Sequence, residues 1–134
     1  MTGLVPYLRF DGRAREALTF YRDVFGGDLE IHTYAEMGNE EGHPDAVAHG
    51  ILSGRVALFA SDVAGGEAPL APLATAGLMF SLLGTADPAT LSTWFAALTE
   101  GGEVVDPLQE RPWGAHDGRV TDRFGVPWLI GYED

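Results

Sequence analysis

Histidine, carboxylate and arginine are the groups with which this chain can do chemistry. It has no cysteine, and its eight basic side chains are all arginine. Thiol nucleophiles, disulfides, Cys-ligated zinc, Schiff-base lysines and a phosphate-loop lysine are therefore excluded. Of the four histidines, His49 is best placed for a role. It lies in a β-like run between Ala48 and Gly50, whose small size leaves room around the imidazole. There it can serve as hydrogen-bond donor, general base or lone metal ligand. The competing reading is a buried imidazole satisfied by a backbone carbonyl, by Asp62 or by another acid. Asp62 itself either meets a ligand or caps the turn that follows it. Trp113-Gly114 can set an aromatic wall at a cavity mouth, since glycine permits a tight bend; otherwise Trp113 only packs. His116 beside Asp117 reads as a solvated loop residue, His32 as a strand-face residue, and His43 among Glu40, Glu41 and Asp45 as part of a solvated acidic face. Arg9 and Arg123 can pair with an anionic ligand, with surface ion pairing as the ordinary use.

The elements that must hold these residues follow a repeated order. An amphipathic helix is predicted from Arg13 to Phe25, with Asp11 as N-cap, Ala14, Ala17, Leu18, Tyr21, Val24 and Phe25 as its apolar stripe, and Gly26-Gly27 as its stop. A second helix starts at Asp87-Pro88, presents Leu91, Trp94, Phe95 and Leu98, and stops at Gly101-Gly102. Caps and glycine stops are offset by nearly the same number of residues, and extended runs precede both helices (Leu4–Phe10 and Leu78–Gly84). This points to an internal duplication. Further strands are expected at Asp28–Tyr34, Ala46–Leu52 (with Val47, His49 and Ile51 on one face) and Arg55–Ala60, the last two joined by a two-residue Ser53-Gly54 turn. In the second half, Glu103–Val105, Gly118–Asp122 and Pro127–Tyr132 are their weaker counterparts. Three segments read as connections: acidic Glu36–Asp45, an Ala/Gly/Pro-rich linker over 63–76, and Pro107–Asp117. The organisation is thus a first βαβββ module over 1–62, the linker, and a second module over 77–134.

Length and charge narrow the class. The 134 residues, 46% of them hydrophobic, suffice for a packed core. A net charge of −12 with scattered arginines argues against nucleic acid. No apolar run approaches the length of a membrane span and the start does not read as a signal peptide, so a soluble cytoplasmic protein is expected.

Several strings carry a resemblance. Tyr7-Leu8-Arg9-Phe10-Asp11-Gly12-Arg13-Ala14, Ala17-Leu18-Thr19-Phe20-Tyr21 and Phe25-Gly26-Gly27 form one group. His49, Ala60-Ser61-Asp62, Trp113-Gly114 and Asp122-Arg123-Phe124-Gly125-Val126-Pro127-Trp128 complete it. Together with the doubled βαβββ order they resemble PhnB-like proteins of the vicinal oxygen chelate superfamily, which includes glyoxalase I, extradiol dioxygenases and bleomycin- and fosfomycin-resistance proteins. The resemblance implies an α+β fold of two βαβββ modules whose curved mixed sheets surround a cavity. It also implies a divalent metal held by His or Glu from the first and last strand of each module. This chain departs there. The matching strands offer Val5, Pro6, Tyr7 and Leu8; Leu58 and Phe59; Leu78, Met79 and Phe80; and Leu129, Ile130 and Gly131. None is a usual ligand of a divalent ion.

The expectation is therefore a glyoxalase-like, metal-free, cofactor-free module that binds or sequesters a small molecule. Tyr7, His49, Phe59, Asp62, Leu78 and Trp113 are its candidate ligand contacts, and His49 is the candidate catalytic residue. The alternative is a divergent lyase, isomerase or dioxygenase using His49 with or without a divalent metal. The resemblance further implies a homodimer.

Overall fold

A computed structural model describes residues 3–64, 73 and 75–133. The chain divides into two units, Met1–Leu70 and Ala71–Asp134. Most of the predicted linker lies outside the described residues. In the first unit β1 (Tyr7–Phe10) leads into α1 (Ala14–Phe25), followed by β2 (Asp28–Thr33), β3 (Val47–Ser53) and β4 (Leu58–Asp62). The sheet order is β1-β4-β3-β2, with β1 parallel to β4 and the other pairs antiparallel. The second unit repeats this with β5 (Phe80–Leu83), α2 (Pro88–Thr99), β6 (Glu103–Glu110), β7 (His116–Thr121) and β8 (Pro127–Tyr132), ordered β5-β8-β7-β6 with β5 parallel to β8. The doubled strand–helix–three-strand order and the α+β class are as the sequence predicts.

Each helix covers one face of its sheet. Ala14, Ala17, Leu18, Tyr21 and Phe25 of α1 are buried, while Val24 is only partly so. They pack over Leu8, Val47, Leu52, Leu58 and Ala60, which the sheet turns toward the helix. Burying each of the larger side chains contributes roughly 1.5–3 kcal/mol. In the second unit the predicted stripe Leu91, Trp94, Phe95 and Leu98 is buried in full, with Val120, Trp128 and Ile130 buried on the sheet beneath. Asp87 is the N-cap residue and Pro88 opens the helix.

Four local expectations need correction. Asp11 does not cap α1: the N-cap position is Arg13, and the Ala14 N–H donates to Asp62 Oδ1 at 3.0 Å, from a residue at the far end of the unit. The β3–β4 connection is not a two-residue turn but spans 54–57, with Val56 tucked inside. Val47 does not share a face with His49. The β2–β3 register shifts between His32 and Thr33, pairing His32 with His49 but Thr33 with Val47, so the bulge at Ala48 turns Val47 under the helix. The predicted loop Pro107–Asp117 is mostly strand, since β6 runs through Pro107 to Glu110, β7 begins at His116, and only 111–115 connect them. Proline is admissible there because β6 is an edge strand, whose outward N–H positions need no partner.

Glycine is required at one junction. Gly27, between α1 and β2, has φ +107°, and a Cβ there would run into the Ser53 carbonyl oxygen.

Candidate functional site

The side of the first sheet that faces away from α1 holds the side chains best suited to chemistry. Strand alternation puts Tyr7 and Arg9 of β1, Phe59 and Ser61 of β4, His49 and Ile51 of β3, and Glu30 and His32 of β2 on this open face. Tyr7 pairs directly with Phe59, Phe59 with Ile51, Ile51 with Glu30 and His49 with His32, so register alone sets them side by side.

Three of these form an aromatic cluster. The Tyr7 hydroxyl lies 3.0 Å from His49 Nδ1, and the two rings stack at 5.6 Å with 26° between their planes. Phe59 meets Tyr7 edge-on at 6.0 Å and His49 at a tilt, 5.5 Å away. Tyr7 is 42% exposed and His49 half-buried, so the cluster can be reached by a ligand. Stacked and edge-to-face geometries of this kind are the favourable ones for aromatic rings. His49 is therefore satisfied neither by a backbone carbonyl nor by Asp62. A phenol engages one nitrogen, and among the described residues the other has no hydrogen-bond partner. Nearby, His32 Nε2 lies 2.9 Å from Glu30 Oε1, with Glu36 at 3.8 Å from Nδ1.

Asp62 lies on the other side of the sheet. It is 3% exposed, its Oδ1 accepts from Ala14 N–H and its Oδ2 from Val47 N–H, each at 3.0 Å. The Tyr34 hydroxyl donates to the Asp62 carbonyl oxygen at 2.7 Å. This carboxylate ties the start of α1, the start of β3 and the end of β4 together, and its geometry serves the fold. Leu78 and Trp113 belong to the second unit. Leu78, 49% exposed, lines a groove of about 320 Å³ with Met79, Val105 and Arg119, whereas Trp113, 73% exposed, sits in the β6–β7 connection.

Other candidates have structural partners. His43 Nδ1 accepts the Asp45 N–H at 3.2 Å within its own turn. Arg123 Nε donates to the Glu100 carbonyl. His116 is a strand residue rather than a loop residue, stacked on its cross-strand partner Tyr132 at 4.8 Å. Two structural carboxylate centres were not anticipated. Asp122, 3% exposed, accepts Phe124 N–H, Val126 N–H and Trp128 Nε1–H, closing the β7–β8 turn. Arg111 bridges Asp106 and Asp117 at 2.7 Å each, clasping the β6–β7 hairpin, and its hydrogen bond holds the Asp106 carboxyl below the usual carboxylate range. The alternating Asp106, Arg111 and Asp117 across a hairpin was the available signal, concealed by reading that segment as loop.

By the resemblance, a divalent cation would be held by donors on the first and last strand of each unit. Their open-face residues are Tyr7, Arg9, Phe59 and Ser61 in the first unit and Ser81, Leu83, Leu129 and Gly131 in the second. These contain no imidazole or carboxylate, and among the described residues no three His, Asp or Glu side chains gather as a metal would require. The donor chemistry does not fit a divalent ion.

Comparison with known proteins agrees with this architecture. Protein YjdN of Escherichia coli is 28% identical over 136 aligned residues, covering 95% of this chain and 92% of YjdN. A solved protein from Pseudomonas aeruginosa is 35% identical, with a TM-score of 0.78 and coverage of 99% of this chain and 98% of that one. The PhnB protein of Bacillus cereus shares the fold at 22% identity, with a TM-score of 0.75 and coverage of 98% and 99%. Residues 3–130 match the Glyoxalase/Bleomycin resistance protein/Dioxygenase superfamily, and the chain belongs to it.

Proposed function

We propose that this chain is a metal-free module that binds or sequesters a small molecule on the open face of its first sheet. The observation that carries the reading is the Tyr7–His49–Phe59 cluster, an accessible aromatic surface with polar atoms at its edge. Apolar surface with a few placed polar groups is the usual make-up of a small-molecule site. Arg9, two residues beyond Tyr7 on the same strand face, adds a polar contact for a ligand's periphery. The module works in the cytoplasm as a homodimer, and its ligand needs no cofactor to be held.

The test is recovery of a co-purifying ligand. Mass spectrometry of protein isolated under gentle conditions should find an organic compound bound to the wild type and depleted in Tyr7→Ala and Phe59→Ala, with circular dichroism unchanged. A compound bound equally by the variants would remove this face from the proposal.

The hydrogen bond between Tyr7 and His49 favours a second reading, a metal-independent isomerase or lyase with His49 as base. A nitrogen oriented by a phenol is suited to moving a proton. Loss of a measured turnover in folded His49→Ala would select this reading over sequestration.

A further inference from the structure

Resting on the reading that the open face of the first sheet takes a ligand, we propose that His49 offers its Nε2–H to a carbonyl or anionic oxygen on a flat unsaturated ring. Tyr7 fixes the tautomer. The phenol is the better donor of the two groups and the imidazole nitrogen the better acceptor, so the Tyr7 hydroxyl donates to Nδ1 across 3.0 Å. A neutral imidazole carries one proton, which then resides on Nε2. Among the described residues Nε2 has no acceptor of its own. Among the described residues the face therefore presents a donor without a partner.

The surroundings define the body of the ligand. Tyr7 and His49 stack, and Phe59 meets Tyr7 edge-on and His49 at a tilt, giving a three-ring surface that Ile51 continues beside Phe59. A planar ring gains face and edge contacts there, whereas a branched aliphatic chain gains area only. Glu30, which shares this face, directs its carboxylate to His32, 2.9 Å away, so it does not compete for the His49 proton. The chemical class is a ring bearing an acceptor oxygen, such as an aromatic carboxylate, phenolate or quinone-like carbonyl. Tyr7 acts here as a positioning residue for His49.

Two probes separate the donor from the surface: 2-naphthoate, which carries an acceptor, and naphthalene, which does not. Titration at pH 8, above the ordinary imidazole range, is followed by NMR for the wild type, His49→Leu, His49→Gln and Tyr7→Phe. The wild type should prefer naphthoate about tenfold; His49→Leu should lose that preference, and His49→Gln, which keeps a donor, should retain most of it. Nitrogen-15 spectra of the side chain should show a single Nε2–H tautomer in the wild type and a mixture in Tyr7→Phe. Equal binding of both probes, or an Nδ1–H tautomer, overturns the donor while leaving the ligand face standing. Failure of both probes to bind the wild type overturns the ligand face and the donor together.

Discussion

Replacing Asp62 by asparagine tests how the first unit is held together. The wild-type carboxylate uses one oxygen for the Ala14 N–H and the other for the Val47 N–H, both at 3.0 Å and both shielded from water. Asparagine has nearly the same shape but only one acceptor oxygen. Its amide NH2 must face one of the two backbone N–H groups, so a charge-assisted bond is lost and a buried donor is stranded. A hydrogen bond to a charged group contributes about 1.5–3 kcal/mol and a stranded buried donor costs about 1–3 kcal/mol, the two partly overlapping, so the expected loss is about 2–4 kcal/mol. That is a large share of the roughly 5–15 kcal/mol that holds a typical domain folded. Urea unfolding followed by circular dichroism reads it directly, and the melting temperature should fall by several degrees for each kcal/mol lost. Asp11→Asn is the control: the exposed Asp11 does not cap α1, so its replacement should change stability by less than about 0.5 kcal/mol. A loss below about 0.5 kcal/mol in Asp62→Asn, or a larger loss in Asp11→Asn, would refute the assignment of Asp62 as the clamp.

Three further outcomes follow from the same geometry. Asp122→Asn should destabilise by about 2–3 kcal/mol and shift the fluorescence of buried Trp128, because the carboxylate accepts two turn N–H groups and the indole N–H. Gly27→Ala should cost about 2 kcal/mol or more in the same urea assay, since φ +107° disfavours a side chain and its Cβ would strike the Ser53 carbonyl. Asp106, whose carboxyl the Arg111 hydrogen bond holds below 3.8, should titrate nearer that value in Arg111→Gln when followed by NMR. A lowered folded pKa stabilises above the unfolded value, so the stability gap between wild type and Arg111→Gln should be present at neutral pH and close as pH falls below 3.8 through the folded pKa.

The two helices were legible because local rules set them. Asp87-Pro88 and the stripe from Leu91 to Leu98 specify the start and buried face of α2 without help from elsewhere. β8 was readable from end to end for the same reason: its apolar run is bounded by the Phe124-Gly125 turn. What escaped was set at long range. No local pattern connects Asp62 to Ala14, since their bond spans 48 positions along the chain and exists only after β4 lies beside β1. The bulge at Ala48 reverses Val47, and neighbouring residue types carry no sign of it. β6 was concealed by Pro107 and two register shifts, which break the alternation a strand normally shows. Within the candidate site, Tyr7, His49 and Phe59 were each identifiable as residues, whereas the hydrogen bond between Tyr7 and His49 depends on β1 and β3 flanking the same strand, β4.

The most direct test of a ligand site built without a metal is elemental analysis of the purified protein, paired with ligand or probe binding before and after chelation. The account predicts metal far below one equivalent per chain and binding that chelation leaves unchanged, because among the described residues no three His, Asp or Glu side chains gather as a divalent cation requires. A stoichiometric divalent metal, removed by chelator together with binding, would contradict it.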